Sequence, residues 1–66
     1  MTLRINGEER LLPELPTVSE LVKHLALPAA TLLIEHNGTA LRRAEWETTP
    51  LRTEDRIELL RIAAGG

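Results

Sequence analysis

The hydrophobic and polar positions of this chain switch between two periods, two residues and about 3.6, and the switches mark out its elements. Thr2–Ile5 alternates, with Leu3 and Ile5 on one face, which predicts a half-buried strand. Asn6-Gly7 follows, a strong hairpin signal, because both central residues of a type I′ turn need φ > 0. Residues 8–12 then return antiparallel, although adjacent Leu11 and Leu12 blur the alternation. Pro13 and Pro16 end that strand in a bend.

The period then changes. Val18, Leu21, Val22 and Leu25 recur at i, i+3, i+4 and i+7, the apolar stripe of a helix lying on a sheet. Thr17-Val18-Ser19-Glu20 ahead of it predicts a capping box, in which the Thr17 hydroxyl and the Glu20 carboxylate each satisfy a free backbone N–H. Lys23 and His24 fall in the last turn, where positive charge suits the macrodipole, and Pro28 closes the element. Leu32-Leu33-Ile34 is a continuous apolar run, which predicts a strand buried in the middle of a sheet. A second Asn-Gly pair, Asn37-Gly38, turns it into a short return strand over Thr39–Leu41. Residues 42–46 lack alternation and read as a helical turn. Pro50 and the polar run Thr53-Glu54-Asp55 lead to a final strand over residues 56–62, with Ile57 and Leu59 on one face and Leu60 and Ile62 on the other.

Two hairpins flanking one capped helix, then a closing strand, predict an α+β fold. It is a mixed sheet of four to five strands with one helix packed across it, the ββαββ order of the β-grasp. In that architecture the terminal strand lies centrally beside the first one and parallel to it. Residues 1–62 form the expected domain, and residues 63–66 an extended, flexible C-terminal tail.

Composition narrows the function. Sixty-six residues make one domain, and a chain of this size buries only about 60% of its unfolded surface, too little for a deep catalytic cleft and its walls. A net charge of −2 argues against a nucleic-acid binder. With no cysteine there is neither a disulfide framework nor a thiolate metal site, and any sulfur carried must sit elsewhere. No apolar run approaches the ~18 residues of a membrane span, and no signal-peptide core opens the chain. A cytoplasmic protein without membrane contact is the expectation.

The chain ends Ala63-Ala64-Gly65-Gly66. Terminal Gly-Gly arises by chance in roughly one chain in 200. Glycine lacks a Cβ and can thread a channel too narrow for other residues. The bland reading is a frayed end; the sharper one makes the Gly66 α-carboxylate the reactive group, presented by Gly65, Ala64 and Ala63. Four extended residues span at most about 14 Å, enough to enter a partner's active site.

With those features assembled, the chain resembles the ThiS family of ubiquitin-like, β-grasp sulfur carriers. The resemblance rests on Ile5-Asn6-Gly7-Glu8, Thr17-Val18-x-Glu20-Leu21, Asn37-Gly38, Arg43-x-x-Trp46, Asp55-Arg56-Ile57-Glu58 and Gly65-Gly66, in that order over essentially the whole chain. Two positions depart from the family pattern. Arg42 stands where proline often precedes the arginine, and Thr53-Glu54-Asp55 replaces an Asp-Gly-Asp turn. Loss of that glycine removes easy access to φ > 0 and predicts a type I turn.

The resemblance implies a protein substrate rather than an enzyme, a sulfur carrier for the thiazole ring of thiamine. A carboxylate of pKa ~3.5 is a poor electrophile at neutral pH. A ubiquitin-activating-like adenylyltransferase is implied to convert the Gly66 carboxylate to an acyl-adenylate. A persulfide donor, such as one charged by a cysteine desulfurase, then supplies sulfur to give a thiocarboxylate, and thiazole synthase receives it. The partner uses the ATP: this chain has no G-x-x-x-x-G-K-[ST] loop, and no bound cofactor or metal is expected. Leu60 and Ile62 are the candidate docking patch for those partners, against a second small core as the plain alternative. Trp46, the one aromatic residue, reads as a core or rim residue, and His24 and His36 as surface histidines. Glu8-Glu9 and Glu54-Asp55 read as solvated charge, and Arg42-Arg43 could face an acidic partner. Two other readings stay open: the small subunit of molybdopterin synthase, and a ubiquitin-like modifier or interaction module.

Overall fold

The structure, a computed structural model, describes residues 1–62. Its elements are β1 (Thr2–Ile5), β2 (Glu8–Leu11), α1 (Val18–His24), a 3-10 turn at Ala29–Thr31, β3 (Leu32–His36), β4 (Thr39–Leu41), a second 3-10 turn at Arg43–Glu45, and β5 (Arg56–Arg61). The strands form one five-stranded sheet in the order β2-β1-β5-β3-β4. β5 is the centre. It runs parallel to β1, with Ile5 beside Ile57, and antiparallel to β3, with Ile34 beside Leu59.

Both Asn-Gly turns take the expected form. Asn6 and Gly7 have φ of 50° and 81°, and Asn37 and Gly38 have 50° and 87°, the left-handed pair that a type I′ turn requires. The core lies between one sheet face and α1. Leu3, Ile5, Leu32, Ile34 and Ile57 from the strands meet Val18, Leu21 and Val22 from the helix, and Trp46 and Leu51 close the side. The structure thus bears out the β-grasp expectation and the parallel neighbouring of the first and last strands.

Four local readings are corrected. Leu32-Leu33-Ile34 is not buried on both faces: β3 is interior to the sheet, but α1 covers one side only, so Leu33 is 50% exposed. The α1 cap is half a capping box. The Thr17 hydroxyl accepts from the Glu20 N–H at 3.3 Å, while the Glu20 carboxylate faces Lys23 at 3.5 Å. The neighbouring free donors are met from far along the chain, Val18 N–H by the Thr49 carbonyl and Ser19 N–H by the Trp46 carbonyl.

The end of α1 precedes Pro28. Ala26 (φ 54°) donates to the Lys23 carbonyl and Leu27 to that of Val22, a Schellman motif with alanine where glycine is usual. Lastly, the turn before β5 is not type I. Glu54 adopts φ 73°, and the Asp55 N–H bonds the Arg52 carbonyl at 3.1 Å, so a glutamate occupies the glycine position of a type II turn. The Glu54 N–H also bonds the Thr2 carbonyl, at 2.6 Å, which ties that strained residue to β1.

Candidate functional site: the closing strand and the open sheet face

β5 carries the chain toward residues 63–66, and the fold grips it from both flanks. On one side Asn6 Oδ1 accepts from the Leu59 N–H at 2.7 Å and its Nδ2 donates to the Leu59 carbonyl at 3.2 Å. On the other, Asn37 Oδ1 accepts from the Arg56 N–H and the Asn37 N–H donates to the Arg56 carbonyl, both at 2.8 Å. The two turn asparagines therefore do more than reverse the chain. Each extends the sheet's hydrogen bonding to a strand that its own hairpin does not contain.

Asp55 anchors the start of β5. Its Oδ1 accepts from Asn37 Nδ2 at 3.1 Å, and its Oδ2 from the Arg52 N–H at 2.9 Å and at 2.8 Å from His36 Nε2. His36 and Asp55 are only 19% and 13% exposed, so the plain surface histidine and the solvated Asp55 expected from the sequence are both overturned. Burial pushes the Asp55 carboxyl up. The hydrogen bonds from His36, Arg52 and Asn37, with the His36 charge, outweigh it and hold the group below its ordinary 3.8. The local sequence carries no signal for this pair, because the two partners lie 19 residues apart.

On the face that α1 leaves open, Leu60 and Ile62 are 56% and 52% exposed, as the strand alternation predicts. Leu33 joins them, directly opposite Leu60 in the register. Ala63, Ala64, Gly65 and Gly66, the expected threading and reactive residues, lie outside the described residues. Trp46 is buried in the core, with the Arg43 guanidinium 6.0 Å from its ring centroid, and His24 is exposed. Among the described residues no group of three His, Asp or Glu side chains is placed to hold a metal ion. Among the described residues no helix is long and apolar enough to cross a membrane.

A mixed sheet holding one α-helix, with its first and last strands parallel and adjacent and one face left open, defines a β-grasp protein. The chain belongs to the ThiS family, whose model matches residues 3–66. It is similar to a thiamine biosynthesis protein (ThiS) from Geobacter metallireducens, whose crystal structure superposes at a TM-score of 0.86 with 30% identity over the whole of both chains. The solution structure of a thiamine biosynthesis protein from that organism gives 0.82 and 29%, covering all of this chain and 88% of the other. An uncharacterized protein from Trieres chinensis, ycf40, is 26% identical over 65 residues, 98% of this chain and 89% of its own.

Proposed function

We propose that this protein is a sulfur carrier for thiazole formation in thiamine biosynthesis, acted on by partner enzymes rather than catalysing a reaction itself. The observation that carries the reading is the family match over residues 3–66, which takes in both the described fold and Gly65-Gly66. The Gly66 carboxylate is the reactive group. A partner adenylyltransferase joins it to AMP with loss of pyrophosphate from ATP, which turns a resonance-stabilised anion into an acyl group with a good leaving group. The outer sulfur of a persulfide on the donor attacks the acyl carbon and AMP leaves, giving an acyl disulfide. A second thiol of the donor cleaves its S–S bond, taking up the disulfide itself and releasing the thiocarboxylate, whose sulfur thiazole synthase receives.

The fold serves this chemistry as a handle. Asn6 and Asn37 hold β5, the strand ahead of Ala63, by hydrogen bonds on either side. Leu33, Leu60 and Ile62 offer apolar docking surface beside the end of β5. Ala63, Ala64 and Gly65 are the slender segment that a partner's channel admits.

Intact-mass spectrometry after incubation with the cognate adenylyltransferase, ATP and a persulfide source tests the reading. A gain equal to exchange of one oxygen for sulfur at Gly66 is expected. An amide to a lysine of another protein, with no sulfur-bearing species, would place the chain among protein modifiers instead.

A further inference from the structure

The open sheet face carries its side chains in rows that cross the strands. The register sets Arg4 beside Arg56, then Glu58 beside Glu35, then Leu60 beside Leu33. Ala40 flanks Glu35 on β4, and Ile62 extends the apolar row toward residues 63–66. Along β5 and its neighbours β1 and β3 the face is basic, acidic and then apolar, with Glu9 of β2 flanking Arg4 at the outer edge, and every one of these residues is exposed.

The acidic row is unfavourable in the free protein. Two glutamates directly opposite on neighbouring strands repel each other. Among the described residues neither Glu35 nor Glu58 forms an ion pair. Neither arginine of the adjoining row pairs with them among the described residues: the Arg4 guanidinium turns to the Gly7 carbonyl at 3.4 Å, and Arg56 forms no ion pair. Beside the glutamates a depression of about 110 Å³ opens between Leu33, Ile34, Glu35, Ala40 and Leu60. That is below the roughly 300 Å³ of a small-molecule pocket, and suits the end of one aliphatic side chain.

Resting on the sulfur-carrier reading, we propose that this banded face docks the partner adenylyltransferase in one orientation. The partner seats an aliphatic side chain between Leu33 and Leu60 and sets an arginine or lysine against the Glu35–Glu58 pair. Charge complementarity selects that occupant: a cation on the partner removes the repulsion only in the complex. Arginine suits it best, since its planar fork can bond both carboxylates at once. The apolar row continues into Ile62, so a partner seated there sits beside the end of β5.

The two glutamates therefore act with opposite sign on folding and on binding. The E35Q/E58Q double variant keeps their shape and removes the repulsion. It is expected to unfold at higher urea than the parent protein, yet to bind the cognate adenylyltransferase about tenfold more weakly in a titration without ATP. The difference in Kd should shrink as salt is added, and E35K/E58K should weaken binding further. A double variant that folds and binds with unchanged Kd would overturn the proposal and leave the glutamates as solvated charge. Binding is read without ATP, so it is judged apart from the chemistry. A parent protein that binds normally but never gains sulfur would overturn the sulfur-carrier reading and leave the docking result standing.

Discussion

Asn6 and Leu59 are joined through both ends of one side-chain amide, which accepts from the Leu59 N–H and donates to its carbonyl across 53 residues of sequence. The same residue holds φ at 50° in the first hairpin turn. One side chain thus fixes a local turn and the position of the central strand. Asn6→Gly separates the two roles, because glycine keeps the left-handed backbone and loses the amide. A loss of about 1–2 kcal/mol in urea unfolding is expected, from two net hydrogen bonds. Unchanged stability would show that water replaces the amide without cost.

Ala26 and Glu54 hold left-handed backbone at φ 54° and 73° with a Cβ in place. The Cβ costs roughly 1–2 kcal/mol there, offset in part by the greater freedom that glycine brings to the unfolded chain. Ala26→Gly is expected to raise stability by about 0.5–1 kcal/mol, and Ala26→Val to lower it. Thermal unfolding reads both changes. A destabilised glycine variant would mean that the Schellman motif is not strained.

Glu54→Gly makes the same exchange in the turn ahead of β5, at an exposed side chain. A gain of similar size, about 0.5–1 kcal/mol, is expected. The Glu54 N–H bond to the Thr2 carbonyl should survive the substitution, since the backbone conformation is the one glycine prefers. Hydrogen exchange of this backbone amide, compared between the parent and the Glu54→Gly variant, checks this. Faster exchange in the variant would count against it.

Asp55 sets the acid limb of stability. Its folded pKa is depressed below the ordinary 3.8, so the unfolded chain takes up the proton first as pH falls. The stabilisation is complete well above 3.8 and is lost as pH drops through that value and the lower folded one. Asp55→Asn should flatten that part of the profile. Asp55→Ala, which orphans the bonds to His36, Asn37 and Arg52, should cost on the order of 2 kcal/mol at neutral pH. Urea midpoints across the acid range measure both, and a parallel profile for Asp55→Asn would refute the assignment.

Leu60→Asp and Gly66→Ala probe transfer rather than folding. Leu60 is 56% exposed, so its change should alter stability by no more than about 0.5 kcal/mol while slowing thiocarboxylate formation. Gly66→Ala should impair adenylation by crowding the acyl carbon. Pyrophosphate release with the partner enzyme reports both, and normal rates for both variants would contradict the handle-and-tail reading.

What could be read in the sequence was what neighbouring residues decide. The two Asn-Gly turns, the Thr17 cap and the α1 stripe each depend on residues within one or two turns of each other. The remainder depended on partners brought together by the sheet. Leu33 looked buried because its neighbours are apolar, but whether a second layer covers it is a tertiary matter. The donors of Val18 and Ser19 find acceptors at Thr49 and Trp46, which freed the Glu20 carboxylate from the role its spacing suggested. Nothing near His36 announces Asp55. At Ala26 and Glu54 surrounding bonds impose a conformation against local preference, and glycine-based turn rules fail in such places.

Placing the last-made strand at the centre also sets when the protein can exist. Before residues 56–61 are synthesised, a nascent chain holds only two separate hairpins, with no bridge between them and no floor for the helix. Assembly is therefore a late, single event rather than a gradual one. A chain cut short before Arg56 lacks the strand that joins the two hairpins, and Leu3, Ile5 and Ile34 lose the Ile57 side chain they pack with.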